Sequence, residues 1–168
     1  KSQMRVEGGI NYIEFVDELL NIKREKNSKY YNNTYELKIL ESFNDFYNEL
    51  RKKEEDLKLC RIVAGYAWEW KSDPRRKDPT PDAIDIEIDN LQFQWNQTDK
   101  DWINNPKDPK NPLKEIGCIH TVQGYDLNYT GEIFGNEINY NPNTNKIEID
   151  SKKYYDKYGR IGTNEEEL

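Results

Sequence analysis

Apolar runs that fit buried strands occur at three places in the chain. Residues 59–67 are almost continuously apolar, and residues 116–122 and 127–134 give two further candidates. A strand of a parallel sheet is covered on both faces, so it is apolar along its whole length instead of at alternate positions. The pattern therefore predicts a parallel sheet that contains these three strands.

Two amphipathic helices and one more strand are predicted upstream. Apolar residues in the stretch 12–20 have the spacing of one helical stripe. Ser42 stands where an N-cap is expected, with Asp45 three residues later and several aromatic residues behind it. Residues 35–39 alternate between apolar and polar, which is typical of a short strand. Strand, helix and buried strand in succession would form a right-handed βαβ unit.

A β-hairpin is predicted between the buried runs. Residues 84–88 and 91–95 alternate between apolar and polar on either side of Asp89-Asn90, a pair suited to a tight turn. Proline-rich loops lie on both sides of this hairpin. We interpret the region 71–114 as an insertion in the sheet.

A second hairpin is predicted near the end of the sequence. Apolar residues alternate at 138–140 and again at 147–149, and Asn-Pro-Asn-Thr-Asn joins the two segments. The 168 residues are enough for one ordinary domain. The predicted fold class is therefore α/β, a single domain over 1–168 with a parallel sheet and inserted β-hairpins.

Composition and charge exclude several classes of protein. The chain is 34% charged and only 35% hydrophobic, with a net charge of −7, so neither a membrane span nor a globally basic nucleic-acid binder is expected. Cys60 and Cys118 lack the spacing of metal ligands, and no metal site is predicted. Lys1 opens the chain without an export signal, which favours a cytoplasmic location and a piece of a longer protein.

The stretch 117–126 carries the most informative chemistry. A predicted buried strand runs into a turn that contains the only histidine, His120, followed by Gly124 and Asp126. At such a strand end, glycine lets the backbone approach a phosphate, and a carboxylate can accept hydrogen bonds from ribose hydroxyls. The alternative is a strand-end turn whose polar side chains are satisfied locally.

Several blocks of sequence resemble a known family. Residues 121–126, Thr-Val-Gln-Gly-Tyr-Asp, resemble motif V of superfamily 1 helicases, Ser/Thr-x-Gln-Gly-x-Glu/Asp. The blocks 2–9, 63–70, 100–104 and 116–129 resemble the Schlafen group 3 DNA/RNA helicase domain family, whose members are mostly bacterial P-loop proteins. The resemblance implies most of the second, C-terminal RecA-like domain of an ATP-dependent helicase or translocase.

The resemblance also implies a nucleotide site shared between two domains. Arg5 matches the motif IV arginine that reaches the γ-phosphate, and Gly124 and Asp126 match nucleotide-facing positions of motif V. The intact protein would bind ATP and Mg²⁺ between this domain and an N-terminal RecA-like domain of the same polypeptide. Because the chain has no Walker A or Walker B motif, we expect it to be inactive on its own.

A contact with nucleic acid follows from the same comparison. His120, Thr121 and Gln123 match the stretch that touches the backbone of the bound strand, so single-stranded DNA or RNA is the expected partner. Tryptophans near the hairpin can stack on unpaired bases or pack in the core. Two further functions stay open, a non-catalytic P-loop-derived adaptor and a nucleotide-independent single-strand binder.

Overall fold

The described part of the chain forms two compact units. The computed structural model describes residues 9–19, 35–97, 100–144 and 146–156. The smaller unit contains helix α1 and a two-stranded hairpin, and the larger unit contains helix α2 and a five-stranded sheet. We describe each unit by itself.

The described elements comprise two helices and seven strands. The helices are α1 (Gly9–Leu19) and α2 (Phe43–Leu57). The strands are β1 (Cys60–Ala64), β2 (Ile86–Ile88), β3 (Leu91–Trp95), β4 (Glu115–Cys118), β5 (Tyr129–Ile133), β6 (Ile138–Asn141) and β7 (Lys146–Ile149). Both predicted helices and both predicted hairpins are therefore confirmed.

A mostly parallel sheet is the centre of the larger unit. Its strand order is β2-β3-β4-β1-β5, and β1 is parallel to both of its neighbours. Ile62, in the middle of β1, lies opposite Ile116 of β4 and Gly131 of β5. All five residues of β1 are buried. Each of the three apolar runs thus contains one of three neighbouring parallel strands, but β1 and β4 end at Ala64 and Cys118, before the predicted runs 59–67 and 116–122 end.

The strand predicted at residues 35–39 is wrong. Residues 35–40 have no regular secondary structure, and the side chain of Ile39 is 76% exposed. Alternating residues favour a strand only when a neighbouring strand pairs with the backbone and the apolar side is buried. Neither condition holds in this segment, so the predicted βαβ unit lacks its first strand.

The hairpin β2–β3 belongs to the main sheet. Asp89 and Asn90 both have positive φ, 49° and 66°, as a type I′ turn requires. β3 also pairs in parallel with β4, with Trp95 opposite Ile116. The predicted hairpin is therefore confirmed, and it extends the parallel sheet at one edge.

Helix α2 covers one face of the sheet. The Ser42 hydroxyl accepts a hydrogen bond from the Asp45 amide at 3.3 Å, so the predicted N-cap is confirmed. Phe46 and Leu50 pack so closely over Gly131 of β5 that a Cβ there would overlap both side chains. Glycine in β5 therefore lets the helix approach the sheet.

A loop covers the other face. Trp102 is only 2% exposed, and it packs with Val63 and Ile103 in a second buried cluster. Its indole ring lies directly against Gly117 of β4, where a Cβ would overlap the ring. The loop around Trp102 thus buries the face of the sheet opposite α2.

We expect Gly117→Ala to destabilise the larger unit by about 1–3 kcal/mol, because the new methyl group must displace a packed indole ring. Urea denaturation followed by tryptophan fluorescence would measure the change. Gly65→Ala is the matched control, since its Cβ would lie 3.9 Å from the Ile119 side chain, an ordinary contact. Equal stability of the two variants would contradict the role given to Trp102.

Candidate functional site

The candidate site lies at one edge of the sheet. Because β1, β3, β4 and β5 are parallel, their carboxyl ends meet at the same edge. Ligands of open α/β sheets bind outside this edge, where loops leave the strands. The segment after β4, residues 119–126, contains five of the six residues that the sequence predicts for the site.

A short 3₁₀ turn, Ile119–Val122, follows β4. The hydroxyl of Thr121 donates a hydrogen bond to the carbonyl oxygen of Cys118 at 2.7 Å, which ties the turn to the strand end. His120 and Gln123 are exposed on the same turn. The turn therefore presents an imidazole and an amide to solvent on a locally fixed backbone.

Gly124 gives the turn an open backbone. Its φ is +88°, and no atom lies within 4 Å of the position that a Cβ would take. The amide of Tyr125 donates to the carbonyl oxygen of Val122 at 3.3 Å, and Asp126 follows with an exposed side chain. A ligand can therefore approach the backbone at Gly124 with a carboxylate two residues away.

Arg5, the remaining predicted site residue, lies outside the described residues. The structure thus brings His120, Thr121, Gln123, Gly124 and Asp126 together on one turn. The γ-phosphate role of Arg5 stays a prediction.

Tyr66 is a site residue that the sequence reasoning missed. It follows β1, and its ring centroid lies 6.3 Å from the ring of His120 and 4.9 Å from that of Trp95. Tyr154 approaches the same ring at 6.4 Å. The sequence placed Tyr66 inside the predicted buried run 59–67, whereas β1 ends at Ala64, so the local pattern gave no signal for this residue.

Three of the four tryptophans pack against other side chains of the protein. Trp95 and Trp102 are 1% and 2% exposed, so neither ring can accept a base. Trp70 has the Arg75 guanidinium over its ring at 4.9 Å and meets Trp95 at 5.4 Å between ring centroids. Packing is therefore the role that these three rings have in the structure.

The basic loop after β1 is neutralised by its own acidic residues. Arg75 makes two hydrogen bonds to the carboxylate of Asp73, at 2.9 and 3.1 Å. Arg76 pairs with Glu69. Partial burial acts to raise the pKa of Asp73, but the hydrogen bonds from Arg75 and the charges of Arg75 and Arg76 together hold that pKa below its usual range. Neither guanidinium is available to a phosphate without breaking these pairs.

Both cysteines are buried thiols, as the sequence predicts. Burial, aided by the charge of Glu54, raises the pKa of Cys60 to about 11, and burial also raises the pKa of Cys118. A thiol is reactive only as the thiolate, so both side chains are unreactive at neutral pH.

The described ranges contain no group of three or more His, Cys, Asp or Glu side chains placed to hold a metal ion. The same ranges contain no helix with the length and apolar character that a membrane span needs.

Comparisons with known proteins identify a family. The family model described as Schlafen group 3, DNA/RNA helicase domain, matches residues 1–167. The uncharacterized protein YPL245W of Saccharomyces cerevisiae (strain ATCC 204508 / S288c) is 25% identical over 125 residues. That match covers 74% of this chain and 26% of the yeast protein, so the chain spans about a quarter of that relative. No solved structure matches.

Proposed function

Because the chain belongs to the Schlafen group 3 DNA/RNA helicase domain family, we propose that it is part of the second RecA-like domain of an ATP-dependent helicase or translocase. In this proposal an N-terminal RecA-like domain of the same polypeptide supplies the P-loop. ATP binds between the two domains, and their closure moves a single strand of DNA or RNA along the protein.

The turn that follows β4 is the observation that carries this proposal. It leaves a parallel sheet at the carboxyl edge, and it places the open backbone of Gly124 beside the exposed carboxylate of Asp126. Phosphate groups need close backbone approach, and ribose hydroxyls need an acceptor. Both needs are met within three consecutive residues.

The residues of this chain would act on the nucleotide and on the strand. ATP, bound with Mg²⁺, would supply the energy of hydrolysis. In this proposal the phosphates of ATP and the N-terminal domain hold the Mg²⁺. Asp126 would hold the ribose, and His120, Thr121 and Gln123 would contact the nucleic acid.

Replacing Asp126 with alanine in the full-length protein tests the nucleotide assignment. Loss of a charged acceptor for the ribose hydroxyls should raise the KM for ATP by about 10- to 100-fold. The variant should also lose any preference for ATP over 2′,3′-dideoxyATP, which lacks the hydrogen-bond donors. Steady-state hydrolysis stimulated by single-stranded DNA measures both effects.

Asp78→Ala is the matched control, because Asp78 is an exposed carboxylate in the loop after β1. Unchanged kinetics in the Asp126 variant would remove this residue from the nucleotide site. A wild-type protein that binds single strands but hydrolyses no ATP would contradict the motor and favour the non-catalytic adaptor.

A further inference from the structure

We propose that Tyr66 and His120 form a stacking site for an unpaired base of single-stranded nucleic acid. This inference rests on the proposed function and adds to it the chemical group that is recognised. It assigns the base, and not the phosphate, to the aromatic side chains at the carboxyl edge of β1 and β4.

The two rings are neighbours because their strands are neighbours. β1 and β4 pair in parallel, with Ala64 opposite Cys118, and each aromatic residue lies two positions beyond its strand end. The ring centroids are 6.3 Å apart at an angle of 46°. His120 is exposed and Tyr66 is half-buried, so the pair offers aromatic surface at the edge where ligands bind.

The ring of Tyr66 is fixed by packing against other aromatic rings. Its ring meets the buried Trp95 edge-on at 4.9 Å and 85°, and Tyr154 edge-on at 6.4 Å and 71°. The backbone carbonyl of Tyr66 also accepts a hydrogen bond from the Tyr155 amide at 2.7 Å. A ring that is already fixed loses little conformational entropy when a ligand stacks on it.

The nearby charges favour a base over a phosphate. The Tyr154 hydroxyl donates to the Asp156 carboxylate at 3.5 Å. Burial and then Asp156 raise the pKa of Tyr154, and the Glu137 carboxylate adds to this effect. Asp156 also acts on Tyr66, where the Arg75 guanidinium, itself paired with Asp73, acts in the opposite direction. Carboxylates next to Tyr154 repel phosphate, whereas the amino groups of bases can donate to carboxylates.

Stacking is the contact that the Tyr66–His120 pair offers to a base. Stacking on aromatic side chains is worth about 1–3 kcal/mol per base in single-strand binding.

Tyr66→Leu in the full-length protein is the decisive variant. Its affinity for a short single-stranded oligodeoxynucleotide, measured by fluorescence anisotropy, should fall about 5- to 150-fold. The slope of log affinity against log salt should stay unchanged, because no phosphate contact is lost. Tyr66→Phe keeps the ring and should bind like the wild type. A 2-aminopurine base in the strand should be quenched by the wild type and by Tyr66→Phe only.

His120→Ala tests the other ring of the pair. Because His120 is exposed, its replacement should not disturb folding, and the variant should bind the oligodeoxynucleotide more weakly than the wild type. Tyr140→Ala, on the exposed tyrosine of β6, is the control and should bind normally. Wild-type affinity and quenching in Tyr66→Leu would overturn the stacking site and leave the proposed function standing. Absence of single-strand binding by the wild type would overturn both.

Discussion

Replacing Arg5 with alanine in the full-length protein should lower the turnover number for ATP by about 10³–10⁵-fold and leave the dissociation constant of ATP nearly unchanged. The resemblance to motif IV implies that this arginine reaches the γ-phosphate from the second domain. A guanidinium placed there neutralises charge that spreads over the phosphoryl oxygens in the transition state. The loss corresponds to about 4–7 kcal/mol of transition-state stabilisation, and single-turnover hydrolysis beside nucleotide-binding titrations measures it.

The control for this variant is Arg51→Ala, because Arg51 is exposed on α2 and its ion pair with Glu55 is long, at 3.8 Å. It should hydrolyse ATP like the wild type. Arg5→Lys keeps the charge but not the planar fork, so its rate should fall between the wild type and the alanine variant. Equal losses in turnover and in ATP affinity would count against the transition-state role.

Asp85→Ala should destabilise the larger unit by about 3–5 kcal/mol, the largest stability effect that we expect. Asp85 is only 4% exposed. Its carboxylate accepts hydrogen bonds from the Ser72 amide at 2.9 Å, the Ser72 hydroxyl at 2.5 Å and the Trp95 amide at 2.9 Å. Alanine would leave these buried donors without an acceptor, and each such group is costly.

Urea denaturation of the variant chain, followed by circular dichroism, measures this loss. Since native domains are stable by only about 5–15 kcal/mol, the Asp85 variant should unfold at a much lower urea concentration. Glu87→Ala, at an exposed position on β2 two residues later, should change the midpoint little. A midpoint for Asp85→Ala close to that of Glu87→Ala would show that the carboxylate is replaceable.

Local sequence pattern predicted the elements that local chemistry determines. The apolar runs predicted β1, β4 and β5, because a strand that is buried on both faces needs apolar residues throughout. The Asp89-Asn90 pair predicted the hairpin, because few residue types adopt positive φ readily. Residues 35–39 carry the same alternation as a strand but have no regular secondary structure. Whether a segment pairs depends on distant residues, which its own pattern does not contain.

The same distinction applies to the site. The segment from His120 to Asp126 could be selected as a candidate because it is continuous in sequence, although residues 120–122 were expected at the end of a strand and form a 3₁₀ turn. Tyr66 was missed because its contact with His120 depends on β1 and β4 being adjacent, which no local motif states. The acceptor role of Asp85 likewise joins separate segments of chain. Arg5 stays a prediction that rests on the resemblance.

The shielding of the two thiols makes site-specific labelling practical. Cys60 and Cys118 are 0% and 2% exposed, and their raised pKa values keep them protonated at neutral pH. A maleimide dye should therefore leave both untouched and react with a cysteine introduced on the surface, such as Phe134→Cys at a position that is 60% exposed. One dye there and a second on the proposed N-terminal domain would report the proposed closure as a change in energy transfer, with no native cysteine to remove among the residues of this chain.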